Sequence, residues 1–199
     1  MKKIILSLVL FFTVGTIFGQ SFMHGAGLTI FVGSAKGGDV TVGEGFTYYP
    51  RFNFLETESL SLSAGVPLTA GISISTNYYY SSGSGFYDNG SIGFVANVPF
   101  IISLNMGRGS TKDNMDKFGY FVGAGFGFHH GDFITTETDV YGYEYTDTKS
   151  TNAYGPAANA GFRLGVGRAH KNIEVRFSYM KGINEDKPNV FGVGALFNF

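Results

Sequence analysis

Four ionic side chains stand out because so few others surround them. Arg51, Arg163, Glu174 and Arg176 interrupt stretches in which apolar residues alternate with Gly, Ser, Thr and Asn. A charge held in such surroundings has to be paired, so Glu174 is expected to serve Arg176, Arg163 or Arg51. Three cations against one anion leave an excess that calls for another acid or for water, and Glu44 points the other way by its parity. A second group, His129-His130-Gly131-Asp132, has side chains that ligate metals and move protons. Adjacent strand residues face opposite ways, so His129 and His130 share no ligand unless the strand bends, and they read as histidines at a strand end. A lipid-modifying site at that rim would pair His with Ser, and no His-x-Ser occurs. A third group lies in 132–152, where Asp132, Glu137, Asp139, Glu144 and Asp147 face Lys149 alone, while Tyr141, Tyr143 and Tyr145 alternate with Gly142 and Glu144. Tyrosine offers amphipathic contact area at little entropic cost. Tyr141, Tyr143, Tyr145, Asp139 and Glu144 are therefore a candidate ligand or cation surface; the alternative is a pair of solvated strand extensions. Tyr78-Tyr79-Tyr80 and Phe86-Tyr87 permit the same two readings.

Other chemistry is excluded. There is no cysteine, hence no thiol nucleophile, thiolate metal site or disulfide scaffold. Gly123-Ala124-Gly125 lies within an alternating strand with no helix after it, so it is not a phosphate loop. A formal charge of −1 gives no footprint for nucleic acid. No catalytic set, cofactor or metal is expected, and the chain does not read as an enzyme.

These side chains are positioned by eight segments of period-2 alternation: Gly25–Gly33, Val42–Phe54, Leu60–Ser75, Ser91–Asn105, Phe118–His130, Tyr154–Arg168, Ile173–Lys181 and the C-terminal Val190–Phe199. Leu60 to Ser75 is the clearest, with Leu60, Leu62, Ala64, Val66, Leu68, Ala70, Ile72 and Ile74 on one face and Ser, Gly, Pro and Thr on the other. In the last segment Phe191, Val193, Ala195, Phe197 and Phe199 share a face. Pro50, Pro67, Pro99 and Pro156 each remove a ladder donor and are expected to mark bulges.

The N-terminus has the form of an export signal. Lys2 and Lys3 precede an apolar run, Ile4–Phe18, too short for a membrane helix, with a cut expected after Gly19. The chain then divides into a signal peptide, 1–19, and one domain, 20–199, whose formal charge without the two lysines is −3. No later stretch is apolar enough for a membrane helix, so a membrane-spanning form must be a closed barrel. The connections Glu56–Ser59 and Ala169–Asn172 are short, whereas Tyr78–Gly90 and Asp132–Asn152 are long and polar. Counted from a periplasmic N-terminus, the short ones fall inside and the long ones outside, as in outer-membrane barrels. Gly107–Lys117 departs from this pattern, being long and charged where a tight turn is expected.

Polarity fixes which face meets lipid. The second face carries few Lys or Glu and many Gly, Ser, Thr and Asn, the composition of a narrow lumen filled by side chains. The apolar run from Ile92 to Leu104 rises about 30 Å at a tilt of roughly 40°, close to the height of a lipid-facing band. Aromatics gather near both ends: Phe52, Phe54, Phe118, Tyr120, Phe197 and Phe199 below, and Phe46, Tyr48, Phe126, Phe128 and Tyr179 above. Lys181, outward above Tyr179, is placed to reach lipopolysaccharide phosphates or to snorkel. The fold expected is all-β: an eight-stranded antiparallel up-and-down transmembrane barrel in the outer membrane of a Gram-negative cell.

With its apolar alternation, segments such as Leu62-Ser63-Ala64-Gly65-Val66-Pro67-Leu68 and the Phe197-Asn198-Phe199 terminus, the stretch 20–199 resembles the small outer-membrane β-barrel domains of the OmpA/OmpX-like type. The Phe18-Gly19-Gln20 signal end looks like the Bacteroidota branch. The resemblance implies insertion by the outer-membrane assembly machinery, with Phe197 and Phe199 in the C-terminal aromatic strand that this machinery recognises. No peptidoglycan-binding domain follows the barrel, so a tethering role is not implied. The function expected is a monomeric structural or surface-interaction barrel with a plugged lumen, in contact with outer-membrane lipid and lipopolysaccharide. The alternatives are a narrow porin-like channel for small solutes, then a lipid-modifying enzyme at the rim.

Overall fold

The computed structural model describes residues 21–35, 40–81, 85–138, 144–167, 171–184 and 187–199; for 75–81, 85–91, 135–138 and 144–148 it describes the backbone alone. The expected signal peptide, 1–19, lies outside the described residues.

Among the described residues the regular structure is all strand: β1 (Ser21–Ser34), β2 (Val40–Glu56), β3 (Leu60–Gly65), β4 (Leu68–Ser81), β5 (Gly85–Gly107), β6 (Phe118–Thr138), β7 (Glu144–Gly165), β8 (Asn172–Lys181) and β9 (Asn189–Asn198). Every pairing is antiparallel. β9 closes onto β1 from Gly25↔Asn198 to Ser34↔Asn189, which completes the ring. Closure pairs the backbone groups that an open edge would leave exposed.

Nine strands make eight staves, because β3 and β4 are two halves of one. Gly65 pairs with Ile101 and Thr69 with Asn97 in a single unbroken register, which sets Pro67 opposite Pro99. Neither has an N–H, so the ladder opens where they meet. On the other side of the same stave the Val66 N–H donates to the Pro50 carbonyl at 3.1 Å. The expected single strand Leu60–Ser75 is therefore split at Pro67. The other prolines are absorbed: Pro50 pairs with His24 and Pro156 with Phe126 in register. The shift in β2 falls between Asn53 and Leu55, where there is no proline.

The two long connections also differ from expectation. β4 and β5 stay paired out to Ser81↔Gly85, and β6 and β7 out to Thr138↔Glu144. Their polar sequence reads as loop, yet both continue the sheet as hairpins. We call this the hairpin end of the barrel. The turn end carries the start of β1, the finish of β9 and the connections 57–59, 108–117 and 166–171.

Side-chain direction follows the alternation. Leu28, Ile30, Phe46, Ile72, Ile92, Phe94, Phe100, Leu104, Val122, Phe177, Val193 and Phe197 are exposed on the outside, Ile92 by 78%. In water such a surface would be strongly unfavourable; against hydrocarbon it is the expected one. Tyr48, expected at the upper edge, instead reaches His24 (Oη to Nδ1, 3.2 Å), and His24 also meets the Phe199 ring at 4.4 Å. This places Tyr48 with the aromatics of the turn end.

Candidate functional site

The lumen holds the chemistry, in three levels. At the turn end β2, β7 and β8 point Arg51, Arg163, Glu174 and Arg176 into one buried layer. Glu174 stands between two cations: Arg163 Nε donates to its Oε2 at 2.7 Å, and Arg176 Nε to its Oε1 at 2.9 Å. Arg51 takes a different partner, with Nη1 donating to Asn105 Oδ1 at 3.2 Å and Nη2 to the Gly109 carbonyl at 2.6 Å. Arg163 Nη2 reaches the same Asn105 oxygen at 3.0 Å.

The cation excess is thus met by neutral acceptors and by rings. Arg176 lies 4.0 Å from the Tyr49 centroid, and Arg163 lies 4.5 Å from that of Phe121. Both are cation–π distances. Gly161 makes room for the Phe121 ring, since a Cβ there would stand 2.6 Å from its Cζ. Glu44, the weak candidate for a second acid, is exposed on the outside.

The unusual connection 107–117 belongs to this layer. Its backbone turns into the barrel mouth. The Gly109 carbonyl meets Arg51 and, at 3.4 Å, Arg163 Nη1, while the Ser110 carbonyl accepts from Asn53 Nδ2 at 2.7 Å. Gly109 sits at φ +72, and a Cβ would lie 3.0 Å from Arg163 Cδ, so both conformation and space favour glycine. Arg108 is buried and ties neighbouring turns together, donating from Nη1 to the Asn114 carbonyl at 3.3 Å and from Nη2 to that of Lys171 at 2.9 Å. Asn114 Nδ2 in turn donates to the Glu58 carbonyl at 3.1 Å. The excess length and charge of this segment were its signal in the sequence, without showing that it folds inward.

The middle level is a belt of hydroxyls. Thr29, Thr47 and Thr69, on three adjacent strands, link Oγ1 to Oγ1 at 2.7 and 2.8 Å. Beside it lies a cavity of about 30 Å³, bordered by Pro67, Pro99, Asn159 and Arg176, room for a water or two.

The hairpin-end level has an apolar core. Phe31, Val95, Phe133, Ala153, Met180 and Val190 pack as one buried cluster. β6 leaves β5 after His130↔Ala96 and continues with β7 alone; Phe133 and Ile134 are each 1% exposed, with Phe133 packed beside Gly33 and His129. Asp132 turns inward with them and accepts from Ser73 Oγ at 2.8 Å. His129 faces inward, edge-on to Phe31 and Phe133 at 5.4 and 5.9 Å. His130 faces outward, so the two histidines share no ligand. Among the described residues no group of three or more His, Cys, Asp or Glu is placed to hold a metal ion.

The remaining candidates lie elsewhere. Asp139, Tyr141 and Tyr143 fall outside the described residues. Glu144 and Tyr145 open β7 opposite Thr138 and Glu137, and only their backbone is described. Phe197 and Phe199 are exposed on the outer face with ring centroids 6.2 Å apart. Lys181 is exposed at the hairpin end.

No family model matches the chain, and no curated protein matches its sequence. Solved structures do match. Ail, the attachment invasion locus protein of Yersinia pestis, in complex with the heparin analogue sucrose octasulfate, aligns with a TM-score of 0.52 at 13% identity, over 92% of this chain and 99% of that one. A second Ail structure gives 0.51 at 11% over the same shares. Neisserial surface protein A gives 0.47 at 14%, over 90% and 97%. At such identities the likeness speaks for the fold, that of the small barrels of the bacterial outer membrane.

Proposed function

We propose that the chain is an outer-membrane barrel whose lumen does not conduct and whose role is structural and adhesive, a rigid stand for the β4–β5 and β6–β7 hairpins. The observation that carries this reading is the filling of the lumen from both ends. Gly109 and Ser110 are bonded to buried Arg51 and Asn53 at one mouth, and Phe133 packs with Phe31, Val95 and Val190 toward the other. A hydrated ion needs room as well as polar groups, and beside the apolar cluster around Phe31 the space lined by Thr41, Ser73, His129 and Asp132 is only about 10 Å³. Export by the 1–19 leader, recognition of Phe197 and Phe199 by the assembly machinery, and a monomer contacting lipid and lipopolysaccharide are parts of the same proposal.

The kind of surface partner follows from charge. Ail was solved with a heparin analogue. Here the stretch 137–149 carries Glu137, Asp139, Glu144 and Asp147 against Lys149, and an acidic stretch repels a sulfated polyanion. The reading therefore commits to neutral or cationic partners, engaged by tyrosines. Planar-bilayer recording tests the main claim. The full-length protein should give no steady conductance steps above the bare bilayer. Stable, ohmic, porin-like steps would favour the channel reading instead.

A further inference from the structure

Outside the lumen, at the hairpin-end edge of the apolar band, three polar side chains form an ordered chain that the reading above does not use. His130 on β6 stands directly opposite Asn152 on β7, with Ser150 one outward position further along. Asn152 Oδ1 lies 2.8 Å from His130 Nδ1, and Ser150 Oγ lies 3.4 Å from His130 Nε2. An amide oxygen only accepts, so this contact fits the tautomer with the proton on Nδ1, in which Nε2 presents its lone pair to the serine hydroxyl. A base turned toward a hydroxyl and held in that tautomer by a third group is the nucleophile–base–orienter arrangement of serine hydrolysis.

The backbone N–H of Ser150 is the candidate donor for the developing oxyanion. The Tyr154 carbonyl accepts from the Ile183 N–H at 2.9 Å, and that of Asn152 from Asn184 Nδ2 at 3.1 Å, both on the side away from β6. Strand alternation turns the Ser150 N–H to the same side, and β8 pairs with β7 only from Ala157 onward. The surroundings name the substrate class. His130 lies 6.2 Å from the Phe94 ring, and Phe128 and Tyr154, one outward step below, are exposed to lipid. Acyl chains pack along these rings, and the carbonyls of ester-linked lipids sit at the depth of the band edge.

We propose that Ser150, His130 and Asn152 form a lipid acyl-ester hydrolase site on the outer wall of the barrel. Ser150 Oγ attacks the ester carbonyl carbon while His130 Nε2 takes the hydroxyl proton. The carbonyl electron pair moves to oxygen, facing the Ser150 N–H. Collapse expels the alcohol oxygen, which leaves with the proton from His130. Water then attacks the acyl-serine, giving its proton to Nε2, and the carboxylic acid departs as that proton returns to Ser150. Ester and water become acid and alcohol, with no oxidant, reductant or metal required.

The test uses the full-length protein in detergent micelles, with heat-modifiable gel migration confirming that each variant is folded. Two measurements are made: fluorophosphonate labelling, and release of fatty acid from phosphatidylethanolamine or, in a second arm, from lipopolysaccharide. Expected are labelling at Ser150 and release in one arm. Ser150→Ala should abolish both, and His130→Ala should lower release roughly 10²- to 10⁴-fold. Release in one arm alone identifies which lipid is the substrate. A folded wild-type barrel with no labelling at Ser150, or with release no faster than Ser150→Ala in both arms, overturns the proposal. Its failure would leave the conductance experiment unaffected.

Discussion

On the turn-end side of the threonine belt the lumen is packed with guanidinium groups, one carboxylate and an inserted stretch of backbone. On the hairpin-end side it is packed mainly with Phe31, Phe133, Met180 and Val190, beside His129 and the Ser73–Asp132 pair. Both halves fill the lumen, yet they depend on different physics. In the charged half the interactions are directional and mutually dependent, because Arg163 and Arg176 share Glu174 and Arg51 and Arg163 share Asn105. In the apolar half they are contacts that each fail by the volume removed. The difference shows that a narrow barrel can be filled by either chemistry, and that the two halves should respond differently to mutation.

The largest effect is expected in the charged half. Glu174→Ala leaves two buried guanidinium groups without their anion and should cost about 3–5 kcal/mol, read as a lowered urea midpoint in micelles. Replacing Arg163, Glu174 and Arg176 together by Met, Leu and Leu should recover most of that loss. A Glu174→Ala barrel as stable as wild type would break the comparison. Phe133→Ala, in the apolar half, should cost about 3 kcal/mol through cavity formation. Its cost should add to that of Glu174→Ala, whereas Glu174 and Arg163 changes should be strongly non-additive. Gly109→Ala should cost about 1–3 kcal/mol, since it meets both a left-handed backbone and the Arg163 side chain. Thr47→Val removes the hydroxyl common to both belt bonds and should cost roughly 1 kcal/mol. If that change proved the costliest, the belt rather than either half would hold the lumen together.

Much of this was legible from period-2 alternation. Strand parity follows from segments such as Leu60–Ser75 and Ser91–Asn105, and so does the inward direction of Arg51, Arg163, Glu174 and Arg176. The same parity places Phe31, Tyr49, Val95 and Phe121 inside, a signal of an aromatic-lined lumen that the abundance of glycine obscures. What needed the fold was register and backbone path. The ladder gap at Pro67 depends on its meeting Pro99 across the sheet. Gly109 reaches Arg51 only because 108–117 turns inward, and composition does not specify that direction. Stretches 78–90 and 132–152 read as loops because polar, glycine-rich ribbons carry no apolar stripe, although 78–81 pairs with 85–88 and 132–138 with 144–150. The absence of His-x-Ser pointed away from a rim nucleophile, because His130 and Ser150 are neighbours only across β6 and β7.

The central claim, a lumen filled in both halves, is tested most directly by thiol access. The protein has no cysteine of its own, so Ser103→Cys places a single thiol at a buried inward position (1% exposed). Thr57→Cys, in an exposed turn, serves as the reference. The account predicts that a small charged methanethiosulfonate reacts with the Thr57→Cys barrel at once and with the Ser103→Cys barrel only after unfolding. Reaction of native Ser103→Cys at a rate near that of Thr57→Cys would contradict it.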